Sequence, residues 1–279
     1  MRKAVFMKPE IVAPIFIIGC QRSGTTIFYR KFALHPDLAT ITRTTRRAPN
    51  NLWLMRLFMF LRSSEKNFKP IGGEAWGKFT PPDSDVLHAA DVTPSIRAYY
   101  QKLIRNHLIV FNKRRFLNKS PSNSVKVGFL NEIFPDAYFI HIVRDGRAVT
   151  HSLSRGRRRH NRYSGVKFPG WQEVMEKPII EGCAFQWKRT VEHILDGVKN
   201  LPRERFMQIR YEDFIERPKE TMRTIGDMCD LDWTDASLDQ VTEGLRSRNY
   251  KWSDNFSPDE INLLKNMLGD FMGQFGYEV

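Results

Sequence analysis

The sequence predicts an α/β fold built on a central, mostly parallel sheet flanked by helices. Three observations carry that reading. Short apolar runs recur at 15–18, 116–117, 138–143 and 206–209. Stretches with helical spacing separate or follow them, at 26–34, 96–110, 125–134, 180–198, 219–228 and 258–275. A loop containing two glycines directly follows the first run. Strands alternating with helices make βαβ units, and such sheets bind ligands at the carboxyl ends of their strands.

Ile15-Phe16-Ile17-Ile18 is a continuous apolar run between Pro14 and Gly19, the pattern of a strand buried on both faces. The basic start Met1-Arg2-Lys3 followed by apolar residues mimics an export leader. Lys8 and Glu10 precede the run, however, Pro14 interrupts it, and cleavage at Cys20 would cut the glycine loop, so a strand is expected. Residues 52–61 are apolar nearly all round and too short to span a bilayer. A core helix is expected there, with a lid or a groove for a lipophilic acceptor as the alternative. Tyr138-Phe139-Ile140-His141-Ile142-Val143 has the aromatic and β-branched content of a strand. The last helix is expected to start at Pro258, with Ser257 as its N-cap and Asp259 and Glu260 in its first turn. No repeat or linker divides the chain, so a single domain over 1–279 is expected.

Composition narrows the function classes. Hydrophobic residues make up 41% and charged residues 27%, which supports a core and excludes wholesale disorder. No run reaches the ~18 uninterrupted apolar residues of a membrane span. The formal charge of +13 favours anionic partners. No nucleic-acid motif or aromatic platform accompanies that charge, so nucleic acid is not an expected partner. Cys20, Cys183 and Cys229 are widely spaced and form neither a disulfide framework nor a metal motif. No metal site is expected, and a reducing, cytoplasmic setting is.

Gly19-Cys20-Gln21-Arg22-Ser23-Gly24-Thr25-Thr26 has the spacing of a nucleotide phosphate loop, G-x-x-x-x-G-K-[ST]. Its backbone N–H groups would wrap an anion at a helix N-terminus. Thr25 stands where the lysine that reaches β- and γ-phosphates belongs, and Arg22 brings a cation back inside the loop. The loop therefore suits a 5′-phosphate better than a triphosphate. Arg144-Asp145-Gly146-Arg147-Ala148-Val149-Thr150-His151-Ser152 begins where the 138–143 strand ends. An arginine and a hydroxyl meeting there would hold one more phosphate, with a surface Arg–Asp pair as the plain alternative.

Together these two motifs resemble the nucleotide-binding signatures of sulfotransferases that use 3′-phosphoadenosine 5′-phosphosulfate (PAPS). Residues 142–152 are particularly similar to tyrosylprotein sulfotransferases and their bacterial relatives. The resemblance implies a P-loop-like three-layer fold, PAPS as co-substrate and no metal. It assigns the 5′-phosphosulfate to Arg22, Ser23, Gly24, Thr25 and Thr26, and the 3′-phosphate to Arg144 and Ser152. Asn118-Lys119-Ser120-Pro121 is similar to the family's Asn-Lys-x-Pro element, whose lysine contacts the transferring group. Glu74, in Gly72-Gly73-Glu74, matches the family's Gly-Glu element and is the expected catalytic base. His141, Asp91 and His151 are weaker candidates, with His141 expected to be structural.

Tyr211 is expected to line the nucleotide site or to pack in the core, and Lys251 or Arg248 to reach the 3′-phosphate. The basic run at 155–162 reads as a solvated loop or as a wall of the acceptor site. The resulting expectation is a sulfotransferase that releases 3′-phosphoadenosine 5′-phosphate (PAP). Arg22 and Lys119 would stabilise the transition state. The acceptor is a hydroxyl on a small molecule, glycan, lipid or peptide, since the resemblance lies in the nucleotide half, and it says nothing of oligomeric state. The alternatives are a P-loop kinase, which needs the missing lysine, and a non-catalytic nucleotide- or polyanion-binding module.

Overall fold

Strand β1 (Ile15–Ile18) has no solvent exposure along its length. A strand reaches that state only with a neighbour on each edge and a layer on each face. The computed structural model describes residues 9–61, 77–246 and 252–278. Around β1 lie β2 (Leu38–Thr40), β3 (Arg115–Lys119), β4 (Tyr138–Val143) and β5 (Phe206–Arg210). All pairings are parallel, in the order β2-β3-β1-β4-β5. Register brings Ile17 beside Lys119, Ile18 beside His141 and Val143 beside Arg210. The chain leaves β1 toward one edge of the sheet and later crosses back over it to β4. The carboxyl ends of β1, β3 and β4 thus flank a topological switch point, where open parallel sheets bind ligands.

The helices are α1 (Thr25–Phe32), α2 (Leu52–Leu61), α3 (Pro94–Phe111), α4 (Val127–Ile133), α5 (Gly146–His160) and the single turn α6 (Glu173–Glu176). After them come α7 (Ile179–Val198), α8 (Tyr211–Glu216), α9 (Pro218–Met228), α10 (Asp235–Thr242) and α11 (Pro258–Gly273). The two faces of β1 alternate, as the period of a strand requires. Phe16 and Ile18 pack with Leu103 and Ile104 of α3, Phe129 of α4 and Ile194 of α7. Ile15 and Ile17 pack on the other side with Phe28 and Phe32 of α1, Phe214 of α8 and Ile225 of α9. A third cluster joins Val149 of α5, Trp187 of α7 and Leu268 of α11 beyond the carboxyl end of β4.

The helix-start reading at Ser257 holds. Its hydroxyl accepts from Glu260 N at 3.2 Å while the Glu260 carboxylate accepts from Ser257 N at 2.9 Å. Such a capping box contributes about 1 kcal/mol.

Two expectations need correction, and one strand was not expected at all. β2 was not foreseen, because three residues, Leu-Ala-Thr, offer too short a pattern to read. The basic run at 155–162 is not a loop: its residues up to His160 form the last turns of α5. There the negative end of the helix dipole favours Arg157, Arg158, Arg159 and His160. α2 is not a core helix, since only Met55 in it is buried and Phe60 is 82% exposed.

Candidate active site

The site grows from the turn between β1 and α1. Gly19 has φ +152°, and a Cβ there would lie 2.6 Å from the Ile142 carbonyl oxygen. Only glycine lets β1 and β4 close at this point. Ser124 Oγ fixes the same residue from outside the loop, accepting from Gly19 N at 3.0 Å and donating to Gly19 O at 3.2 Å. Gly24 caps α1 in the left-handed region at φ +88°, without a side-chain cap and with no acidic residue in the first turn. The helix N-terminus is therefore left with its unsatisfied N–H groups and its positive dipole end. Ser23 N already donates to Cys20 O at 3.2 Å, so the loop's open amides begin at Gly24.

Arg22 joins the two motifs. Its backbone stands at φ +71°, an uncommon conformation for a residue with a side chain. Arg144 Nη1 donates to its carbonyl at 3.0 Å, and Arg22 Nε donates to Ser152 Oγ at 2.8 Å. The Arg144 guanidinium lies over the Tyr211 ring at 4.6 Å. That ring also packs so closely on Gly24 that a Cβ there would fall 2.2 Å from Tyr211 Cδ2. Burial is the main influence on Arg144 and pulls its pKa down, opposed by Tyr211, Glu212 and Asp145. The Arg–Asp pair of the plain alternative does form in this segment, between Arg147 and Asp145. Asp145 caps α5, accepting from Arg147 N at 2.8 Å, and forms an ion pair with the Arg147 guanidinium at 2.9 Å.

Lys119 ends β3 and turns into the site, where Nζ donates to Thr26 Oγ1 at 3.1 Å. Burial, with Arg30 nearby, lowers its pKa to about 8. A cation absent from position 25 is thus supplied from the neighbouring strand. Thr25 is itself buried, its Cγ2 2.7 Å from where a Gly19 Cβ would stand.

His141 is fully buried, bonds Gln208 Oε1 at 3.1 Å through Nδ1 and is held neutral by burial at about 4. Asp91 accepts from His88 N at 2.7 Å in a short helical turn. His151 lies edge-on to the Phe256 ring. Glu74, Lys251 and Arg248 lie outside the described residues.

Two supports escaped the sequence reading. Ser124 sits in a Pro-Ser-Asn-Ser-Val turn with no phosphate-binding signature. Glu212 accepts from Asp145 N at 3.3 Å and from the Tyr277 hydroxyl at 2.7 Å. The acidic pair after Tyr211 was the only signal for it.

Ser23 tests the fit of an anion. It is fully buried, and its Oγ has no hydrogen-bond partner among the described residues. An unmet buried hydroxyl is costly, and a phosphate oxygen is an acceptor it can serve. With Arg22, Lys119 and the amides of α1 around it, the site fits an anionic group.

This geometry defines a P-loop-like α/β protein with Thr25 at the lysine position of its first loop and with Arg22, Lys119 and Arg144 brought to that loop as cations. The chain belongs to the sulfotransferase family, whose profile matches residues 14–235. It is 28% identical over 224 residues to a protein-tyrosine sulfotransferase of Drosophila melanogaster, covering 80% of this chain and 39% of that one. An omega-hydroxy-beta-dihydromenaquinone-9 sulfotransferase, Stf3, of Mycobacterium bovis is 23% identical over 297 residues, covering 95% of this chain and 75% of that protein. The sulfotransferase STF9 of Mycobacterium avium superposes with a TM-score of 0.59 at 17% identity, covering 97% of this chain and 78% of that one. The chain spans 39% to 55% of the length of the first protein-tyrosine sulfotransferases it matches. Among the described residues no helix is long and apolar enough to cross a membrane.

Proposed function

We propose that the chain transfers a sulfuryl group from PAPS to an acceptor hydroxyl and releases PAP. The observation that carries this reading is the junction at Arg22, where two motifs more than 120 residues apart in sequence meet as one cationic site. One phosphate on the loop and a second at Arg144 and Ser152 match a nucleotide phosphorylated at both 5′ and 3′ positions. When bound, PAPS supplies the sulfuryl group and a phosphate leaving group.

The chain's own residues then have separable tasks. The amides of Gly24, Thr25 and Thr26 and the Ser23 hydroxyl hold the 5′-phosphate. Arg22 and Lys119 keep positive charge where the leaving oxygen becomes negative, the place where charge stabilisation lowers the barrier most. Tyr211 fixes Arg144 by stacking, so that its planar fork faces the 3′-phosphate. Glu74 takes the proton of the acceptor hydroxyl. Lys251 or Arg248 adds a cation to the 3′-phosphate. The relatives named for protein tyrosine and for a hydroxylated dihydromenaquinone support a hydroxyl acceptor. A reducing compartment is supported by three free, buried cysteines, with burial holding Cys20 and Cys229 at about 12 and Cys183 at about 11. A kinase reading is not favoured, because Thr25 occupies the lysine position and is turned into the core.

Thermal stabilisation tests the reading. A ligand at 100 times its Kd stabilises the folded state by about 2.7 kcal/mol. PAP should raise Tm clearly, AMP only slightly, and Mg²⁺ should change neither. Stabilisation by Mg²⁺–ATP but not by PAP would replace this proposal with a kinase.

A further inference from the structure

Apart from Met55, the apolar residues of α2 are used neither by the nucleotide site nor by the core. Trp53 is 68% exposed, Phe60 82% and Leu61 64%. Trp53, Leu57 and Phe60 share one face by helical spacing, and Leu61 continues the stripe one turn after Leu57. Met55, on the opposite face, is fully buried and anchors the helix to the body. Asn51 Oδ1 accepts from Leu54 N at 3.0 Å and fixes its start. An exposed apolar stripe on a well-started helix marks an interaction surface.

Charge identifies the partner. Residues 38–61 contain Arg43, Arg46, Arg47 and Arg56 and no Asp or Glu. Arg43, Arg46 and Arg47 are exposed on the segment leading into α2, and Arg56 is exposed on the helix itself. Among the described residues no carboxylate forms an ion pair with Arg43, Arg46 or Arg56. Arg46 and Lys78 also border a cavity of about 300 Å³ whose apolar walls are Ile41, Pro49, Tyr99 and Leu103. A bare protein partner would suit the apolar stripe. It would not explain why an acid-free stretch of arginines accompanies it.

We infer that α2 and its arginines dock the protein on an anionic lipid bilayer, with the helix lying in the plane of the interface. Ten residues rise ~15 Å, half of the ~30 Å hydrocarbon core, so the helix lies on the membrane and does not cross it. The apolar stripe enters the headgroup boundary, and the arginines meet lipid phosphates. The segment that carries them leaves the carboxyl end of β2, the same edge of the sheet on which Lys119 and the phosphate loop lie. Docking therefore turns that edge toward the bilayer. The inference stands on α2 and the arginines that lead into it and does not depend on which group the site transfers.

Co-sedimentation of the full chain with vesicles tests it. Vesicles of phosphatidylglycerol and phosphatidylcholine should carry the protein down, and pure phosphatidylcholine vesicles much less. Trp53→Ser and Phe60→Ser should each lower partitioning about tenfold or more, since burying such a side chain is worth ~1.5–3 kcal/mol. Arg43→Ser and Arg46→Ser should each lower it about fivefold on anionic vesicles only, following ~1 kcal/mol per basic residue. All four side chains are exposed, so an unchanged melting temperature certifies the fold. No sedimentation with anionic vesicles, or sedimentation indifferent to Phe60→Ser, would overturn the inference. So would a wild-type dimer that Phe60→Ser converts to monomer, because the stripe would then belong to a second copy. Failure of PAP to stabilise the protein would refute the sulfotransferase reading and leave the vesicle result standing.

Discussion

Replacing Gly24 by alanine tests how the loop, Tyr211 and Arg144 are coupled. The new Cβ would stand 2.2 Å from Tyr211 Cδ2 and 2.6 Å from Cε2, so the ring must retreat by more than an ångström to reach ordinary contact. The backbone is also at φ +88°, where a side chain costs about 1–2 kcal/mol by itself. Each kcal/mol lowers Tm by about 2–4 °C for a domain near this size. Stability alone would therefore fall by several degrees.

The larger consequence is for binding. The Arg144 guanidinium rests on that ring at 4.6 Å and also donates to Arg22 O. A displaced ring removes the support that aims Arg144. A misaimed charge-assisted bond to phosphate forfeits about 1.5–3 kcal/mol, or roughly ten- to a hundredfold in Kd. Calorimetric titration with PAP reads this directly. Adding Tyr211→Ala to Gly24→Ala removes the overlap and should restore part of the lost Tm without restoring affinity. Wild-type Tm and wild-type PAP affinity in Gly24→Ala would refute the coupling. So would a double variant no more stable than the single one.

Arg144→Ala should weaken PAP binding about tenfold or more by titration while changing AMP binding little, since only PAP carries the 3′-phosphate. Lys119→Met should keep PAP binding measurable yet abolish sulfuryl transfer, read by release of PAP. Lys119 is charged below its pKa of about 8, so wild-type affinity for PAP should decline as pH rises through about 8, by at most ~tenfold per pH unit, and Lys119→Met should remove that dependence. Glu74→Ala should bind PAP normally and lose turnover. Full activity in that variant would sink the base assignment.

The sheet was legible where the strand residues themselves are mostly apolar, and burial alone did not suffice, since β2 and β3 are buried along their length too. Continuous apolar runs gave β1 and β4 to the residue, and β5 to within one. β3 was read at only two of its five residues, because Arg115, Asn118 and Lys119 interrupt the pattern. Arg115 is buried there by donating to the carbonyls of Ala13 and Cys229, at 2.9 and 2.7 Å, which no local pattern can signal. The end of α5 was obscured for a related reason. Its basic end looks like a solvated loop, yet Arg157 is taken up by the carbonyls of Met175 and Lys177, both within 3.0 Å. The two phosphate motifs were legible as motifs. Their meeting in one site was expected from the resemblance, but the contact of Arg22 with Ser152 that joins them was not, because it is a matter of sheet order more than of spacing.

That order also shows where a cation comes from when the loop has Thr25 at the lysine position. With β3 next to β1 in parallel register, Ile17 stands beside Lys119, and the strand end delivers an ammonium group to Thr26 from outside the loop. A lysine within the loop would ride on the first turn of α1 and move with it. One held on a strand buried on both faces is fixed by the core, independently of the loop it serves. Preorganised charge of this kind suits a reaction in which the cation must already be in place as the leaving oxygen gains its charge. Burial that lowers Lys119 to about 8 leaves it mostly protonated at neutral pH, while it keeps water from screening that charge.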